Sequence, residues 1–346
     1  MRALTIDAHG GLERLRYRED QPEPAIQDPG QVKLRMRAAA LNHIDLWTVR
    51  GVPGVRITPG WILGADGMGI VVDTGAAVTR VRVGDTVFIN PGISCHACEF
   101  CRTGDHPLCL QFAVLGEHRP GTLAEFVVLP ERNVSAIPAD SNPEVAAAFP
   151  LATLTAWRMC VTRAEVTDRD DVLIWGIGGG VAQAALRICR QRGARIWVTS
   201  SSDDKLERAR ALGATTLLRH GPDVDVGREV RARTGKRGVT VVIDSVGSAT
   251  WAQSLGALGR RGRLVTCGGT SGHLVETDVR RLFWNQWTIM GSTMGSDAEF
   301  DAITAEFLAG RLTATVDSVF PLERASDAFE RLESGAQFGK IVVRIS

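Results

Sequence analysis

Residues 172–181, Val-Leu-Ile-Trp-Gly-Ile-Gly-Gly-Gly-Val, decide the fold of the second half of this chain. Their first four residues form a short, continuous apolar run, which is typical of a strand buried on both faces. Val181, Ala184, Ala185 and Ile188 then follow at the spacing of one helical face. A glycine turn between such a strand and such a helix lets a pyrophosphate approach the backbone N–H groups that open the helix. The stretch predicts a dinucleotide-binding turn, and the alternative is a tight turn without a ligand.

From this turn onward, strands and helices alternate along the chain. The segments that continue the series are the strands 195–199, 239–244 and 263–267 and the helices 205–212 and 251–258. This alternation predicts a parallel sheet flanked by helices. We therefore expect an α/β fold in which residues 151–292 form a doubly wound parallel-sheet domain that binds a dinucleotide.

The first 150 residues have a different pattern, with short apolar runs separated by Gly, Pro, Asp and Asn. Val32, Leu34, Met36 and Ala38 alternate with polar residues, as in a half-buried strand. These features predict a rolled β domain over residues 1–150. Near the carboxyl terminus the strand pattern returns, so residues 293–346 are expected to complete the first domain.

The bulk composition argues against several classes of protein. The 346 residues, 44% hydrophobic and 23% charged, are typical of a folded globular chain with more than one domain. A net charge of +1 argues against binding nucleic acid through a broad basic surface. No apolar stretch approaches the ~20 residues needed to cross a bilayer, and the amino terminus lacks the apolar block of a secretory signal. We expect a cytoplasmic protein with neither a nucleic-acid nor a membrane partner.

Four of the seven cysteines, Cys95, Cys98, Cys101 and Cys109, lie within fifteen residues. Their spacing lets one loop surround a tetrahedral ion, with thiolates about 2.3 Å from zinc. Four sulfur ligands leave no open coordination position, so such an ion would shape a lobe and activate neither water nor substrate. An iron–sulfur cluster is one alternative, and free thiols or disulfides are another. The sequence predicts one structural zinc ion in a protein of a reducing compartment.

The strand that follows the glycine turn bears on the choice of cofactor. An NAD site normally has Asp or Glu at the end of this strand, where it bonds the ribose hydroxyls. Ser200 and Ser201 stand there instead, and together with Lys205 and Arg219 they could accept a 2′-phosphate. NADPH is therefore the favoured cofactor. NADH is the alternative, because the acidic residues 203–204 could face the site.

With both motifs in place, the whole chain resembles the medium-chain dehydrogenase/reductase family, which includes zinc alcohol dehydrogenases and quinone or enoyl reductases. Besides the cysteine lobe, the resemblance rests on residues 40–45, 63–67, 83–87, 121–126, 150–157 and 244–247. It implies a GroES-like β domain and a Rossmann domain, with the carboxy-terminal strands completing the first.

Motifs and resemblance together define a set of candidate cofactor-binding residues. They are Asp45, Thr155, Gly176, Gly178, Gly179, Gly180, Val181, Ser200, Ser201, Lys205, Arg219, Val246 and Gly268. Two of them have a structural alternative: Asp45 could serve to fix its loop, and Thr155 could cap a helix.

Departures from the family pattern carry the functional information. Zinc alcohol dehydrogenases bind a catalytic zinc through a Cys, the His of a Gly-His-Glu motif and a second Cys. The matching positions here are Asn42, Ala65 and Leu151, none of which is a thiolate or an imidazole. Ile44 also replaces the hydroxyl residue that relays the alcohol proton in those enzymes. Since a zinc-bound alkoxide stabilises the charge on oxygen there, these losses argue against alcohol oxidation.

The metal-free branch of the family resembles reductases of C=C bonds next to a carbonyl. Hydride goes to the β-carbon of an enone, quinone or enoyl thioester, and the resulting enolate charge needs only hydrogen-bond donors. His43 could donate to the carbonyl oxygen or the α-carbon, or bond a cofactor phosphate or ribose, and water could be the acid. Asn42 is a candidate amide donor to the substrate carbonyl or the nicotinamide ribose, or a structural turn residue.

Two other functions are retained as hypotheses. One is an alcohol dehydrogenase whose zinc has unusual ligands, and the other is a cofactor-binding protein without enzymatic activity. An enzyme of this kind would act on a small molecule. The strand region 287–291, Trp-Thr-Ile-Met-Gly, resembles the edge used for dimerisation in the family, so we expect a homo-oligomer, specifically a dimer.

Overall fold

The computed structural model describes residues 1–346, which divide into two compact units. Unit 1 comprises Met1–Ala152 and Gly295–Ser346, and unit 2 comprises Thr153–Met294. The strands are β1 (Ala3–Ile6), β2 (Arg16–Arg18), β3 (Gln31–Ala40), β4 (Trp61–Ile62), β5 (Asp66–Thr74), β6 (Thr86–Ile89), β7 (Gly92–Ile93), β8 (Ala113–Val114), β9 (Phe126–Pro130), β10 (Val134–Ala136), β11 (Asp171–Ile174), β12 (Arg195–Ser200), β13 (Thr216–Arg219), β14 (Val239–Asp244), β15 (Leu258–Thr266), β16 (Thr288–Gly291), β17 (Val316–Pro321) and β18 (Lys340–Arg344). The helices are α1 (His43–Arg50), α2 (Glu99–Arg102), α3 (Pro143–Ala148), α4 (Pro150–Trp157), α5 (Gly180–Gln191), α6 (Asp203–Leu212), α7 (Val226–Arg233), α8 (Ser248–Ala257), α9 (Val279–Asn285), α10 (Asp297–Leu308) and α11 (Ala325–Glu333).

A seven-stranded sheet forms the largest part of unit 1. Its order is β10-β6-β5-β3-β18-β17, and β9 also pairs with β3. Val32, Leu34 and Met36 of β3 are fully buried, as their alternation with polar residues predicts. Ala40, at the end of β3, lies opposite Val342 of β18 on one side and opposite Asp66 of β5 on the other, in antiparallel pairing. This register brings the end of β3 and the beginnings of β5 and β18 to one edge of the sheet.

Unit 2 contains a six-stranded sheet in which all pairings are parallel. The strands lie in the order β13-β12-β11-β14-β15-β16, which is 3-2-1-4-5-6 when they are counted within the unit. This is the doubly wound order of dinucleotide-binding sheets. Val172, Leu173 and Ile174 are fully buried, as expected for a central strand with helices on both faces. The predicted α/β fold class is confirmed.

Each unit has its own hydrophobic core. The core of unit 1 includes Leu34 of β3, Phe329 of α11 and Ile341 of β18, so a helix and a strand from the carboxy-terminal segment complete it. The core of unit 2 includes Leu173 and Trp251, packed among residues of the parallel sheet. No helix of the chain combines the length and apolar character needed to cross a bilayer.

Candidate active site and metal centre

The four cysteines of the lobe come together in unit 1. Their sulfur atoms lie within 4.8 Å of one another, and Cys101 Sγ is 3.5 Å from Cys98 Sγ and 3.9 Å from Cys95 Sγ. Ligand atoms at the corners of a tetrahedron with 2.3 Å bonds are separated by about 3.8 Å. The donor set Cys95, Cys98, Cys101 and Cys109 therefore fits a tetrahedral zinc ion.

Backbone N–H groups point at several of these sulfur atoms, and such hydrogen bonds favour the thiolate form. Cys95 N donates to Cys109 Sγ at 3.2 Å, and Ala97 N and Cys98 N both donate to Cys95 Sγ at 3.4 Å. Backbone hydrogen bonds lower the pKa of Cys98 to about 6, whereas burial raises the pKa of Cys101 to about 12. A divalent ion would hold all four side chains as thiolates and would leave no coordination position for a substrate.

A buried ion pair lies at the edge where β3 ends and β5 and β18 begin. Since Val342 pairs with Ala40 in antiparallel register, Lys340 comes opposite position 42. The Lys340 ammonium group donates to Asn42 Oδ1 and, at 3.2 Å, to Asp66 Oδ2. The side chains of Lys340 and Asp66 are only 5% and 0% exposed. The residue pattern alone did not predict this pair.

Both the oxygen and the nitrogen of the Asn42 side-chain amide form hydrogen bonds within this group. Its oxygen accepts from Lys340, and its Nδ2 donates to Ala40 O at 3.2 Å and to Asp66 Oδ2 at a longer 3.5 Å. The other carboxylate oxygen of Asp66 accepts from Leu151 N at 3.2 Å. A cation, a carboxylate and a backbone carbonyl thus hold the amide of Asn42 in one orientation. Its role toward a substrate stays a prediction.

Helix α1 begins directly after Asn42 and carries His43 and Asp45 in its first turn. Asp45 Oδ2 accepts a hydrogen bond from Asn42 N at 2.7 Å, which fixes the entry into the helix. Burial raises the pKa of Asp45 to about 7. Burial, and then the charges of Lys340 and Arg50, lower the pKa of His43, so its imidazole is neutral at pH 7. The turn thus presents a neutral imidazole beside a buried carboxyl group.

The side chains here do not fit a catalytic zinc ion. Asn42, Ala65 and Leu151 stand where the family resemblance places the three zinc ligands, and they offer an amide and two apolar groups. Ala65 and Leu151 are buried. The positive charge at this edge of the sheet comes instead from Lys340. Burial lowers the pKa of Lys340 and raises that of Asp66, and the attraction between the two charges opposes both shifts.

In unit 2 the glycine turn connects β11 to α5. Gly176 has φ +65°, a conformation that favours glycine, and its N–H donates to Thr199 Oγ1 at 3.1 Å. Helix α5 begins at Gly180, with Gly179 as its N-cap. The N–H groups of the first helical turn have no partner within the helix, so Gly180 and Val181 can offer theirs to a phosphate oxygen.

Other candidate cofactor residues stand at the same edge of the parallel sheet. β11, β12, β14 and β15 are parallel neighbours, so their carboxyl ends meet. Gly176, Ser200, Val246 and Gly268 lie at or just after these ends. Thr155 lies in α4, and its hydroxyl contacts Met294 Sδ at 3.9 Å. Dinucleotides bind at this edge in doubly wound sheets.

The end of β12 is already organised by local hydrogen bonds. Ser200 is buried, and its Oγ accepts from Ser202 N at 3.1 Å. Ser202 in turn caps α6 by accepting from Lys205 N at 3.4 Å. Arg219 lies beside Ser200 in the register of β12 and β13, and its guanidinium forms an ion pair with Asp203. A cation and a carboxylate therefore stand together next to the serine that ends β12.

Comparisons with known proteins cover both units. The alcohol dehydrogenase GroES-like domain family matches residues 28–139, and the zinc-binding dehydrogenase family matches residues 180–310. A zinc-type alcohol dehydrogenase-like protein of Schizosaccharomyces pombe is 30% identical over 100% of this chain and 99% of its own. An acryloyl-coenzyme A reductase of Metallosphaera sedula is 25% identical over 99% of each chain. A crystal structure of an NAD-dependent alcohol dehydrogenase is 40% identical, with a TM-score of 0.94 and all of both chains covered.

Proposed function

Since the chain belongs to the medium-chain dehydrogenase/reductase superfamily, we propose that it is a reductase that uses NADPH to saturate the C=C bond of an α,β-unsaturated carbonyl compound. Its similarity to dehydrogenases and to an acryloyl-coenzyme A reductase makes it an NAD(P)-dependent oxidoreductase. The proposed substrate class is an enone, a quinone or an enoyl thioester. The observation that carries the proposal is that Asn42, at one of the three positions where a zinc-dependent relative needs a metal ligand, has its side-chain amide held by Lys340, whose ammonium also bonds Asp66.

The chemistry of a conjugated acceptor suits such a site. Bound NADPH would supply a hydride to the β-carbon of the substrate. The negative charge that develops on the carbonyl oxygen can be stabilised by hydrogen-bond donors without a metal ion. A proton then adds to the α-carbon, giving the saturated carbonyl product and NADP⁺. An alcohol, by contrast, must lose its own proton before it gives up a hydride, and a bound zinc ion promotes that loss.

His43 is the proposed hydrogen-bond donor to the substrate oxygen. As a neutral imidazole it can donate one N–H without first taking up a proton. The α-carbon proton would then come from His43 or from water. The competing role for His43 is a bond to a cofactor phosphate or ribose. Asn42 is proposed as a second amide donor, and such a role would require exchange of its present bond to Ala40 O or Asp66.

Lys340 is proposed as a positioning residue that acts through Asn42. Its ammonium fixes the side-chain amide of Asn42, while its own charge is paired with the Asp66 carboxylate. Lys340→Arg should then retain more activity than Lys340→Met, and the loss in Lys340→Met should fall on kcat more than on KM. A purely structural role predicts that both variants lose activity in proportion to their loss of folded protein.

NADPH is proposed over NADH because no acidic side chain ends β12. Ser200 and Ser201 stand at that end, and Arg219 lies on the neighbouring strand. The Asp203–Arg219 ion pair is the feature that favours the alternative, since it occupies the cation with a carboxylate. The ratio of kcat/KM for the two cofactors tests the choice, and a ratio in favour of NADH would contradict it.

Oxidation of an alcohol is the second candidate function. It is favoured by the names of similar proteins, including the 40% identical NAD-dependent alcohol dehydrogenase. A third candidate is a protein that binds the cofactor without catalysis. One experiment separates the three: the purified protein is assayed with NADPH and a panel of enones, quinones and enoyl thioesters, and with NAD⁺ or NADP⁺ and a panel of alcohols.

We expect the protein to reduce at least one conjugated acceptor and to oxidise no alcohol. Alcohol oxidation without reduction of an acceptor would replace the proposal with the second candidate. Binding of NADPH without turnover on either panel would favour the third. His43→Gln should lower kcat by about 100-fold if His43 acts on the substrate, but should mainly raise KM for NADPH if it binds the cofactor. His118→Gln serves as the matched control.

A homodimer formed through β16 is also proposed. β16 pairs with β15 on one side only, so its other edge offers unpaired backbone groups. Phe283 and Trp284 of the preceding helix are 63% and 73% exposed, which is unusual for aromatic side chains of a monomer. Analytical ultracentrifugation tests the proposal. A monomer at micromolar concentration would contradict it, and Met290→Pro in β16 should dissociate a dimer that depends on this edge.

A further inference from the structure

A second group of potential metal ligands lies in unit 1, apart from the four sulfur atoms. His96 lies between two cysteines of the lobe, and His106 lies just before the fourth. Asp297 is the first residue of α10. One ligand atom from each of these three residues lies within 4.8 Å of the others. We call this group the His-His-Asp triad.

Within the triad the carboxylate faces both imidazoles without bonding to either. His96 Nε2 is 3.7 Å from Asp297 Oδ2, and His106 Nδ1 is 3.8 Å from Asp297 Oδ1. Both distances exceed the roughly 3.2 Å limit of a good N–H···O hydrogen bond. They are close to the spacing of about 3.3 Å between ligands around a tetrahedral ion with bonds of 2.0–2.1 Å. A small inward movement of the side chains would complete such a site.

The nitrogen lone pairs also suit a metal ion. The backbone N–H of Asp297 donates to His106 Nδ1 at 3.3 Å, so this nitrogen acts as an acceptor and its lone pair faces Asp297. The bond is long, and an ion at Nδ1 would replace it. The rings of His96 and His106 pack together with centroids 4.8 Å apart, so the two imidazoles lie next to each other beside the carboxylate.

We propose that His96, His106 and Asp297 form a second metal site that binds a zinc ion or a similar divalent transition-metal ion. Two imidazoles and one carboxylate are a donor set that such ions prefer. The three side chains are 14–34% exposed, so water can supply the remaining ligand. The ion would connect the cysteine lobe to the start of α10, which lies 191 positions beyond His106 in the sequence. The site is independent of the proposed reaction.

Added Co²⁺ distinguishes this site from the cysteine lobe by its absorbance. Thiolate ligands give Co²⁺ an intense sulfur-to-metal charge-transfer band, which a site of nitrogen and oxygen ligands does not give. The untagged full-length protein, with its tightly bound zinc retained, is titrated with Co²⁺ and then with Zn²⁺. Binding is followed by calorimetry, by metal analysis and by absorbance. We expect one further ion per chain to bind without a charge-transfer band.

Conservative variants locate the second ion. His106→Gln and Asp297→Asn should each weaken the second site at least about tenfold, while the zinc in the lobe remains. His96→Asn should act in the same direction, and Asn tolerates the φ of +55° at this position. His273→Gln, at an exposed histidine far along the chain, should change nothing. The proposal is overturned if the wild-type protein binds no further ion, or if the further ion survives in all three triad variants.

Discussion

Lys340 Nζ lies 3.2 Å from Asp66 Oδ2, although the two residues are 274 positions apart in the sequence. Both side chains are withdrawn from water, which costs several kcal/mol for each charge before their attraction is counted. The pair adds one hydrogen bond to Asn42 and one from Leu151 N, so each charged group has polar partners. Removing only one of the two charges should therefore destabilise the folded protein more than removing both.

The first prediction concerns this ion pair. Lys340→Met should reduce the free energy of unfolding of unit 1 by about 3–5 kcal/mol, because it leaves the Asp66 carboxylate buried without a cation. The double variant Lys340→Met/Asp66→Asn should recover part of the loss. Hydrogen exchange of amides in β3 and β18 against urea concentration measures the effect. Lys33→Met is the control, since its partner Glu23 is half exposed and such pairs contribute about 1 kcal/mol or less.

The second prediction concerns pH. The pKa of Asp45 is raised from 3.8 to about 7, so the folded protein binds this proton more tightly than the unfolded chain does. The stability that this proton contributes is full below about pH 4 and is lost as the pH rises to about 7. Asp45→Asn removes the loss, so its stability relative to the wild type should rise by about 2–4 kcal/mol from pH 4 to pH 8. Urea unfolding at several pH values measures this difference. Parallel curves for the two proteins would refute the assignment, and the exposed Asp20→Asn should give parallel curves.

The third prediction concerns the glycine turn. Gly176→Ala should weaken binding of the cofactor by about tenfold or more, because an alanine at φ +65° costs about 1–2 kcal/mol and displaces the turn. Fluorescence titration with NADPH measures the dissociation constant. Gly221 of the same unit has open space where a Cβ would lie, so Gly221→Ala is the control. Equal affinities for the two variants would count against a phosphate at this turn.

The fourth prediction concerns the cysteine lobe. We expect the wild-type lobe to hold one zinc ion. Cys109→Ser should abolish this binding and lower the melting temperature, since the binding energy of such an ion contributes directly to folding. Zinc content and thermal unfolding are measured on the same samples. Cys267→Ser should retain the zinc, because Cys267 lies in unit 2 outside the lobe. Turnover per folded molecule should change little at low temperature, as the lobe offers no open coordination position to a substrate.

The fifth prediction concerns the Asp203–Arg219 ion pair. Asp203→Asn removes the carboxylate and frees the guanidinium of Arg219. The kcat/KM ratio of NADPH to NADH should rise about tenfold, which corresponds to one charge-assisted hydrogen bond. Arg219→Gln should lower the same ratio. If neither variant shifts the ratio, the pair lies outside the cofactor site.

Local patterns in the sequence were sufficient for the glycine turn and for the cysteine lobe. In both cases the chemistry is carried by residues close together in the chain, so their spacing limits the geometry. The doubly wound sheet also followed from the alternation of segments, although β13 and α7 were not predicted. Helix α7 has three arginines in its eight residues and only three apolar side chains, Val226, Val230 and Ala232, so little hydrophobic sequence marks it as a helix.

The Lys340–Asp66–Asn42 cluster could not be predicted from local sequence patterns. It depends on the pairing of β18 with β3, and no local signal specifies which distant strand Lys340 will join. A single lysine before three apolar residues is also the ordinary start of a strand. The one sequence feature that distinguishes Lys340 is the rarity of lysine, which occurs four times in 346 residues. The orientation of the Asn42 amide depends on the pairing of β18 with β3, so it could not be predicted either.

The position of β18 has a consequence for synthesis of the protein. Unit 2 is one continuous stretch, Thr153–Met294, whereas unit 1 needs Gly295–Ser346 as well as Met1–Ala152. All of unit 2 therefore emerges from the ribosome before β18 is available to pair with β3. Until then the carboxyl half of β3 has one unpaired side, and Asp66 has no cation beside it. We expect the nascent first half to need protection by chaperones while the second half is already folding.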